Sequence, residues 1–409
     1  MGKLPDINRL YRYLWLPALT ALAALSVPMV KRLFADVGLR WVYILLISST
    51  ASYLLTPLFG RLARRFDILD HPDSRKVHLE ATPLLGGAAV FAAFLFSLLL
   101  NGIFTVKLGI ILLSTTVLFL VGIGDDVREI PAGLKLAVQV ICSALVIGVG
   151  IYLKVIPDSL GLVARICNIA LTMIWIVGIT NAMNFFDGMD GLAAGLAAII
   201  SFFLGVVAFL TDQPFLGWVA VALMGCCIGF LPYNLRIRGR ATIFLGDAGS
   251  TAVGFVLACL AVYGNWSDSS PIVALVSPLL IFWLLIFDMV HITIDRILSG
   301  KVLSLRQWIE YVGKDHLHHR IAGALGGQKR SVIFIYLLSI CFGASAILLR
   351  KAGTADALIL LLQTVILIAL ITILERRGRN HIEQSQRKDT RRPKAAEKKT
   401  QHVVGGRSG

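Results

Sequence analysis

Charge is scarce in this chain: only 15% of its 409 residues are Asp, Glu, Lys or Arg, against roughly 25% in an ordinary soluble protein. That shortage, with a mean hydropathy of +0.79, excludes a soluble globular domain, a disordered chain and a coiled coil. Glutamate is rarer still, six of 24 acidic residues, and the other 18 are Asp, the short carboxylate often used to hold Mg²⁺ and its phosphate partners. The six cysteines (142, 167, 226, 227, 259 and 341) lie in or beside apolar runs without C-x-x-C spacing, so they read as packing residues and not as metal or redox sites. No internal repeat is apparent.

What the chain has instead is apolar length. Hydrophobic residues make up 57% of it, and about 20 suffice to cross a bilayer as a helix. Runs of that length cover approximately 41–60, 83–101, 105–123, 134–153, 166–183, 191–211, 215–234, 248–264, 271–291, 331–350 and 355–374. The expected fold is an all-α polytopic integral membrane protein of about eleven transmembrane helices. A further run, Leu14 to Val30, contains Pro17 and Pro28 and lacks a cleavage site. It reads as an extra or interfacial N-terminal helix and not as a signal peptide. The expected organisation is an N-terminal extension (1–40), a multi-span domain (41–374) and a basic, disordered tail (375–409).

The formal charge of +15 would suggest nucleic acid in a soluble chain. Here topology accounts for it. If the eleven runs alternate in direction, the connections on one side carry 28 Lys and Arg, and those on the other carry five (Lys107, Lys154, Arg165, Arg350 and Lys351). By the positive-inside rule the rich side is cytoplasmic, which in a bacterium means the inner membrane. The tail belongs there too, near anionic headgroups.

Every polar cluster of note falls on that same side. The clusters are H-P-D-S-R-K-V-H-L-E-A-T-P-L-L-G-G (71–87), G-I-G-D-D-V-R-E (122–129), N-A-M-N-F-F-D-G-M-D-G-L (181–192), F-L-G-D-A-G-S (244–250) and D-H-L-H-H-R (315–320). Together they imply one shared site. Asp125 and Asp126 are adjacent carboxylates at a membrane boundary, which repel unless a cation or donor lies between them; a solvated pair facing Arg128 is the plain alternative. Asp187 and Asp190, three apart, share a helix face, with Asn181 and Asn184 near it. Asp247 sits among Gly246, Ala248, Gly249 and Ser250 before an apolar helix. Small neighbours there let a diphosphate approach the backbone, and helix-start amides favour anions, although an N-cap Asp would look the same. His316, His318 and His319 with Arg320 are the densest group of phosphate donors, and Arg75, Lys76 and His78 add further anion contacts. The oxygen-rich inventory suits Mg²⁺, or Mn²⁺ in its place, better than zinc. His291 and Asp295 read as structural.

The five segments, in this order, resemble the polyprenyl-phosphate N-acetylhexosamine-1-phosphate transferase family (glycosyltransferase family 4). The resemblance covers about residues 41–374. R-K-x-H with the following P-x-x-G-G, and H-L-H-H-R, look more like the bacterial undecaprenyl-phosphate GlcNAc-1-phosphate branch than the phospho-N-acetylmuramoyl-pentapeptide branch. The resemblance implies an enzyme in which a lipid phosphate attacks the β-phosphorus of a UDP-N-acetylhexosamine, releasing UMP and leaving a polyprenyl-diphospho-sugar for envelope polysaccharide synthesis. It also implies Mg²⁺ as cofactor, undecaprenyl phosphate and membrane lipid as partners, no nucleic acid, and compatibility with a homodimer. Residue by residue it makes Asp247, Asp187 and Asp126 metal ligands. Asp125, Asp126, Asp187, Asp190, His316, His318 and His319 become the candidate catalytic set. Arg75, Lys76, Asn181, Asn184, Asp187, Phe244 (uracil stacking), His318, His319 and Arg320 become the substrate contacts. Because a phosphate monoester has a second pKa near 6, the lipid phosphate is mostly a dianion at neutral pH, so Asp125 and Asp126 are expected to position the headgroup or metal and not to abstract a proton. The rival from another class is a secondary transporter, which would place ionisable groups near the midplane, often within repeats. An intramembrane metalloprotease would need more than the H-x-x-x-D at 291–295.

Overall fold

The computed structural model describes residues 7–71, 81–236, 239–266, 271–304, 307, 311, 313, 316–349, 353–370 and 372. The expected site residues Arg75, Lys76 and His78 and the basic tail lie outside them. The helices, in chain order, are α1 (Ile7–Leu25), α2 (Pro28–Asp36), α3 (Arg40–Arg65), α4 (Gly86–Asn101), α5 (Val106–Val127), α6 (Ala132–Gly148), α7 (Gly161–Phe185), α8 (Leu192–Leu210), α9 (Pro214–Asn234), α10 (Gly246–Tyr263), α11 (Pro271–Ile281), α12 (Trp283–Leu298), α13 (Leu317–Leu325), α14 (Gln328–Leu349) and α15 (Thr354–Leu370). A two-stranded antiparallel ladder, β1 (Leu69–Asp70) with β2 (Thr82–Pro83), brackets the first polar loop.

The protein is a multi-pass, helical membrane protein, and length and apolarity alone do not confirm the expected count of eleven spans. Among the described residues, seven helices are long and apolar enough to cross a bilayer, or nine if two bent pairs each count as one span. Every predicted run does contain helix. However, α4, α6 and α15 are shorter than span length, and the run 271–291 breaks into α11 and α12, which meet at 80°. Pro278 lies one turn before that break, where its missing N–H weakens the helical ladder.

The N-terminal extension is the second bent pair: α1 and α2 meet at 74°, with Pro28 as the first residue of α2, a position where proline costs no hydrogen bond. The bend is pinned at the end of the bundle away from the polar clusters. Tyr43 Oη donates to the Leu25 carbonyl (2.8 Å), and Lys31 Nζ and Arg40 Nη2 donate to the carbonyls of Leu100 and Asn101 at the end of α4 (2.8 and 3.0 Å). Cations belong there, against the negative end of a helix.

The centre of the bundle is α8, α9 and α10, buried over 78%, 72% and 89% of their most apolar stretches, whereas α5 and α14 are buried over only 39%. The remainder of those outer helices presents Leu, Ile and Val outward, such as Leu113, Leu120, Ile333 and Leu337, as lipid contact requires. The helix starts of α4 and α10 and the end of α5 approach at backbone contact. A Cβ added to Gly87 would meet Gly249 Cα at 2.2 Å, and one on Gly122 would meet Ala248 Cα at 2.4 Å. The small residues around Asp247, expected to admit a diphosphate, are therefore used for helix crossing.

Candidate active site

The ends of α5, α7 and α9 meet the starts of α4, α6, α8 and α10, which brings four of the five polar clusters to one end of the bundle, with α13 closing over it. The residues before α10 are stitched in by their backbone. Phe244 N–H donates to the Pro83 carbonyl, and Gly86 and Gly87 N–H donate to the carbonyls of Phe244 and Leu245 (2.8, 3.0 and 2.8 Å). Gly246 follows with φ +76, a conformation open to glycine, and a Cβ there would strike Leu84 O at 2.6 Å and Asp126 Oδ2 at 2.8 Å.

The paired aspartates have separate partners. Asp126 spends both carboxylate oxygens on the start of α10, accepting from Asp247 N–H (2.9 Å) and Ala248 N–H (3.3 Å). A carboxylate 121 residues away in sequence thus caps a helix whose own cap position, Leu245, offers no side-chain acceptor. Asp125 accepts from Ile130 N–H (2.7 Å) and from Lys135 Nζ (2.5 Å). Lys135, at the start of α6, also lies 3.6 Å from Asp247 Oδ2, so its ammonium stands between two carboxylates from different helices. Asp247 Oδ1 in turn accepts from Asn184 Nδ2 (3.0 Å), which donates as well to Ser250 Oγ (2.9 Å). The Gly246 amide faces the carboxylate of Asp187, which also feels the charges of Asp126, Asp190 and Asp247. The distances given for Asp126 predict an outcome: Asp126→Ala leaves two amides at a buried helix start without acceptors and destabilises the fold by about 2 kcal/mol, whereas Asp126→Asn, which keeps one acceptor, costs less than half of that. Thermal melts of the two variants check the order.

Asp125, Lys135, Asn184 and Asp247 line a cleft that also takes in Gln139, Asn181, Arg296, Tyr311 and His316, with an apolar half made by Leu118, Val121, Leu136, Val177, Met289 and Ile292. Asn181 and Gln139 pair reciprocally, at 2.6 and 3.3 Å. Arg296 stacks over Tyr311, its guanidinium 4.4 Å from the ring centre. The cleft thus joins carboxylates, an ammonium and amides to a greasy wall.

Other expected residues stand elsewhere. Asp190 accepts from Ala241 N–H (2.8 Å), locking the connection from α9 to α10 instead of facing the cleft. Arg320 donates to His291 Nδ1 at 2.9 Å. Phe244 is half-buried and is not among the residues lining the cleft. His318 is buried, and neither ring nitrogen has a hydrogen-bond partner among the described residues. It packs on Phe186 and on both neighbouring histidines. Burial, reinforced by His319 and His316, holds its pKa well below the ordinary 6.5. A buried neutral histidine binds fewer protons than the unfolded chain, so its contribution to stability is full above about pH 6.5 and is lost as pH falls below it. The wild-type melting temperature is therefore expected to drop between about pH 7.5 and 5.5, and the drop should be shallower in His318→Phe.

Lys135, Arg296, Tyr311 and Asp288 (below) were not expected from the sequence. Lys135 carried a signal, ten residues after the aspartate pair, but counted only as a positive-inside charge.

The donor set fits a hard divalent cation. Asp125, Asp126, Asp187 and Asp247 are four carboxylates in mutual electrostatic contact, and Lys135 is their one ion-pair partner among the described residues. Asp126 is occupied by α10 and Asp125 by Lys135 and Ile130, which leaves Asp247, in the cleft, and Asp187, which meets the Gly246 amide and is not among the residues lining the cleft, with oxygens to offer. Mg²⁺ characteristically takes one or two carboxylates and completes its shell with water and substrate phosphate. No group of three His, Cys, Asp or Glu that could hold a metal ion occurs among the described residues.

The family described as glycosyl transferase family 4 matches residues 108–265. The chain is 31% identical over 341 residues to the "Probable undecaprenyl-phosphate N-acetylglucosaminyl 1-phosphate transferase" of Bacillus subtilis (strain 168), the match covering 81% of this chain and 91% of that protein. It is 31% identical over 365 residues to the "Decaprenyl-phosphate N-acetylglucosaminephosphotransferase" of Mycobacterium leprae (strain TN), with 80% and 88% covered. With the "Phospho-N-acetylmuramoyl-pentapeptide-transferase" of Prochlorococcus marinus subsp. pastoris it shares 33% identity over 245 residues, with 54% and 67% covered.

Proposed function

Because the chain belongs to glycosyl transferase family 4, we propose that it transfers GlcNAc-1-phosphate from UDP-GlcNAc to undecaprenyl phosphate at the cytoplasmic face of the inner membrane. An oxygen of the lipid phosphate forms a bond to the β-phosphorus, the bond from that phosphorus to the bridging oxygen breaks, and UMP leaves. The observation that carries this reading is the cleft itself: one wall is apolar enough for the first units of a polyprenol, and the other holds Asp125, Lys135, Asn184 and Asp247. The longer alignment with the GlcNAc-1-phosphate relatives, beside the shorter one with the muramoyl-pentapeptide relative, supports the choice of sugar.

Phosphoryl transfer needs positioning and charge neutralisation more than covalent chemistry. Asp247 and Asp187 would hold Mg²⁺, with Asn184 fixing the Asp247 rotamer. Bound there, the ion supplies neutralisation of the diphosphate. Lys135 supplies a second positive charge and keeps Asp125 in place; with both oxygens of that carboxylate engaged, its part is to position and not to take a proton. His318, buried and not among the residues lining the cleft, has ring nitrogens without a partner among the described residues. Asp126 acts from behind by holding the start of α10.

The test is a donor panel with protein purified in detergent. Chelator-sensitive UMP release with UDP-GlcNAc and undecaprenyl phosphate is expected, with UDP-MurNAc-pentapeptide inert. Turnover of the pentapeptide donor alone would replace the proposed sugar.

A further inference from the structure

One buried carboxylate takes no part in the cluster described so far. Asp288 lies in the middle of α12, 1% exposed, inside the apolar run 271–291. Burying an ionised group there is expensive unless donors meet it, and two do. Oδ2 lies 2.7 Å from Nδ1 of His316, and Oδ1 accepts from Leu317 N–H at 2.7 Å. One oxygen therefore fixes a histidine ring and the other caps the first turn of α13. The ring of His316 is held from a second direction by Phe185, whose ring centre is 4.9 Å away, and His316 lines the cleft together with Asp125, Lys135 and Asp247.

A carboxylate accepts and cannot donate, so this contact makes Nδ1 the N–H nitrogen. Nε2, across the ring, is then the nitrogen available to whatever occupies the cleft. We propose that Asp288 is a positioning residue of the transfer reaction: it fixes the ring orientation of His316 and supplies the counter-charge for a doubly protonated ring, so that Nε2–H donates to a phosphoryl oxygen of the bound substrates. This rests on the phosphate-transfer reading above. When phosphate is bound, Nε2 takes a proton from solvent and donates it as a hydrogen bond, and the Asp288 carboxylate balances the charge of the ring.

Asp288→Asn separates this role from that of a cap. The asparagine carbonyl still accepts from Leu317 N–H, and asparagine caps helices as well as aspartate does, so the melting temperature stays near that of the wild type. Its amide, however, donates toward Nδ1, which moves the ring proton to Nε2, so that the nitrogen facing the cleft donates from a neutral ring and the paired positive charge is lost.

The decisive measurement is ¹⁵N NMR of the full chain, labelled at histidine, in detergent micelles, with the His316 signals identified by their loss in His316→Gln. Protonated Nδ1 in the wild type and unprotonated Nδ1 in Asp288→Asn are expected; unprotonated Nδ1 in the wild type overturns the proposal whether or not the protein turns over. In the UMP-release assay, Asp288→Asn should lower kcat about 10²-fold with KM for UDP-GlcNAc within about threefold. The double variant Asp288→Asn/His316→Gln should be no slower than His316→Gln alone, because a residue acting only through another adds nothing once its partner is gone. Additive losses, or wild-type kcat in Asp288→Asn, would overturn the positioning role while leaving the transferase reading intact. A wild type that releases no UMP from any donor would instead sink that reading, with the NMR result still deciding the tautomer.

Discussion

Replacing Asp247 with asparagine should lower kcat for UMP release by about 10³-fold, the scale set by removing a group that meets charge developing in a transition state, without lowering the melting temperature in chelator. The two halves of this expectation have one cause. Asp247 feels the like charges of Asp125, Asp126 and Asp187, so removing its charge relieves repulsion in the resting protein. The amide keeps the size of the carboxylate, its oxygen still accepts from Asn184, and the Asp247 backbone N–H bonded to Asp126 is untouched. The lost charge is the one that, with Asp187, would hold Mg²⁺ against the diphosphate. A variant that keeps a tenth or more of the activity places the metal elsewhere.

Lys135→Met should lower kcat about 10²-fold, and excess Mg²⁺ should not restore it. The ammonium touches Asp125 and Asp247 at 2.5 and 3.6 Å; without it Asp125, whose side chain is 7% exposed, keeps the Ile130 amide and its contact with the Asp247 carboxyl. Swinging away from the cleft would cost the Ile130 hydrogen bond, and staying adds uncompensated negative charge where a phosphate dianion must bind. Full rescue by added metal would mean that Lys135 only balances charge and holds nothing in place. Activity within threefold of wild type would remove it from the site.

Much of the site was legible because a membrane protein writes its chemistry against an apolar background: aspartates and histidines at the ends of hydrophobic runs stand out, and alternating spans assign those ends to one side. Asp125, Asp247, Asn181, Asn184 and His316 do share one cleft. What sequence could not separate was chemistry from construction. Asp126 looks like its neighbour until its acceptors are seen to meet amides 121 residues further on. Gly249 and Ala248 look like room for a phosphate, but they are room for Gly87 and Gly122. Lys135 passed as a topology signal. Asp288 sat inside an apolar run, where an ionisable residue is itself the signal. Hydropathy reports apolar length alone and is blind to the 80° break between α11 and α12.

Which phosphorus moves distinguishes sugar-phosphate transfer from sugar transfer. UDP-GlcNAc labelled with ³²P at the β-position, incubated with the purified protein, Mg²⁺ and undecaprenyl phosphate, should place the label in the organic-extractable lipid fraction while unlabelled UMP appears in water. Label that remains in water as UDP while the sugar reaches the lipid would mean that a sugar is transferred without its phosphate, and would contradict the account.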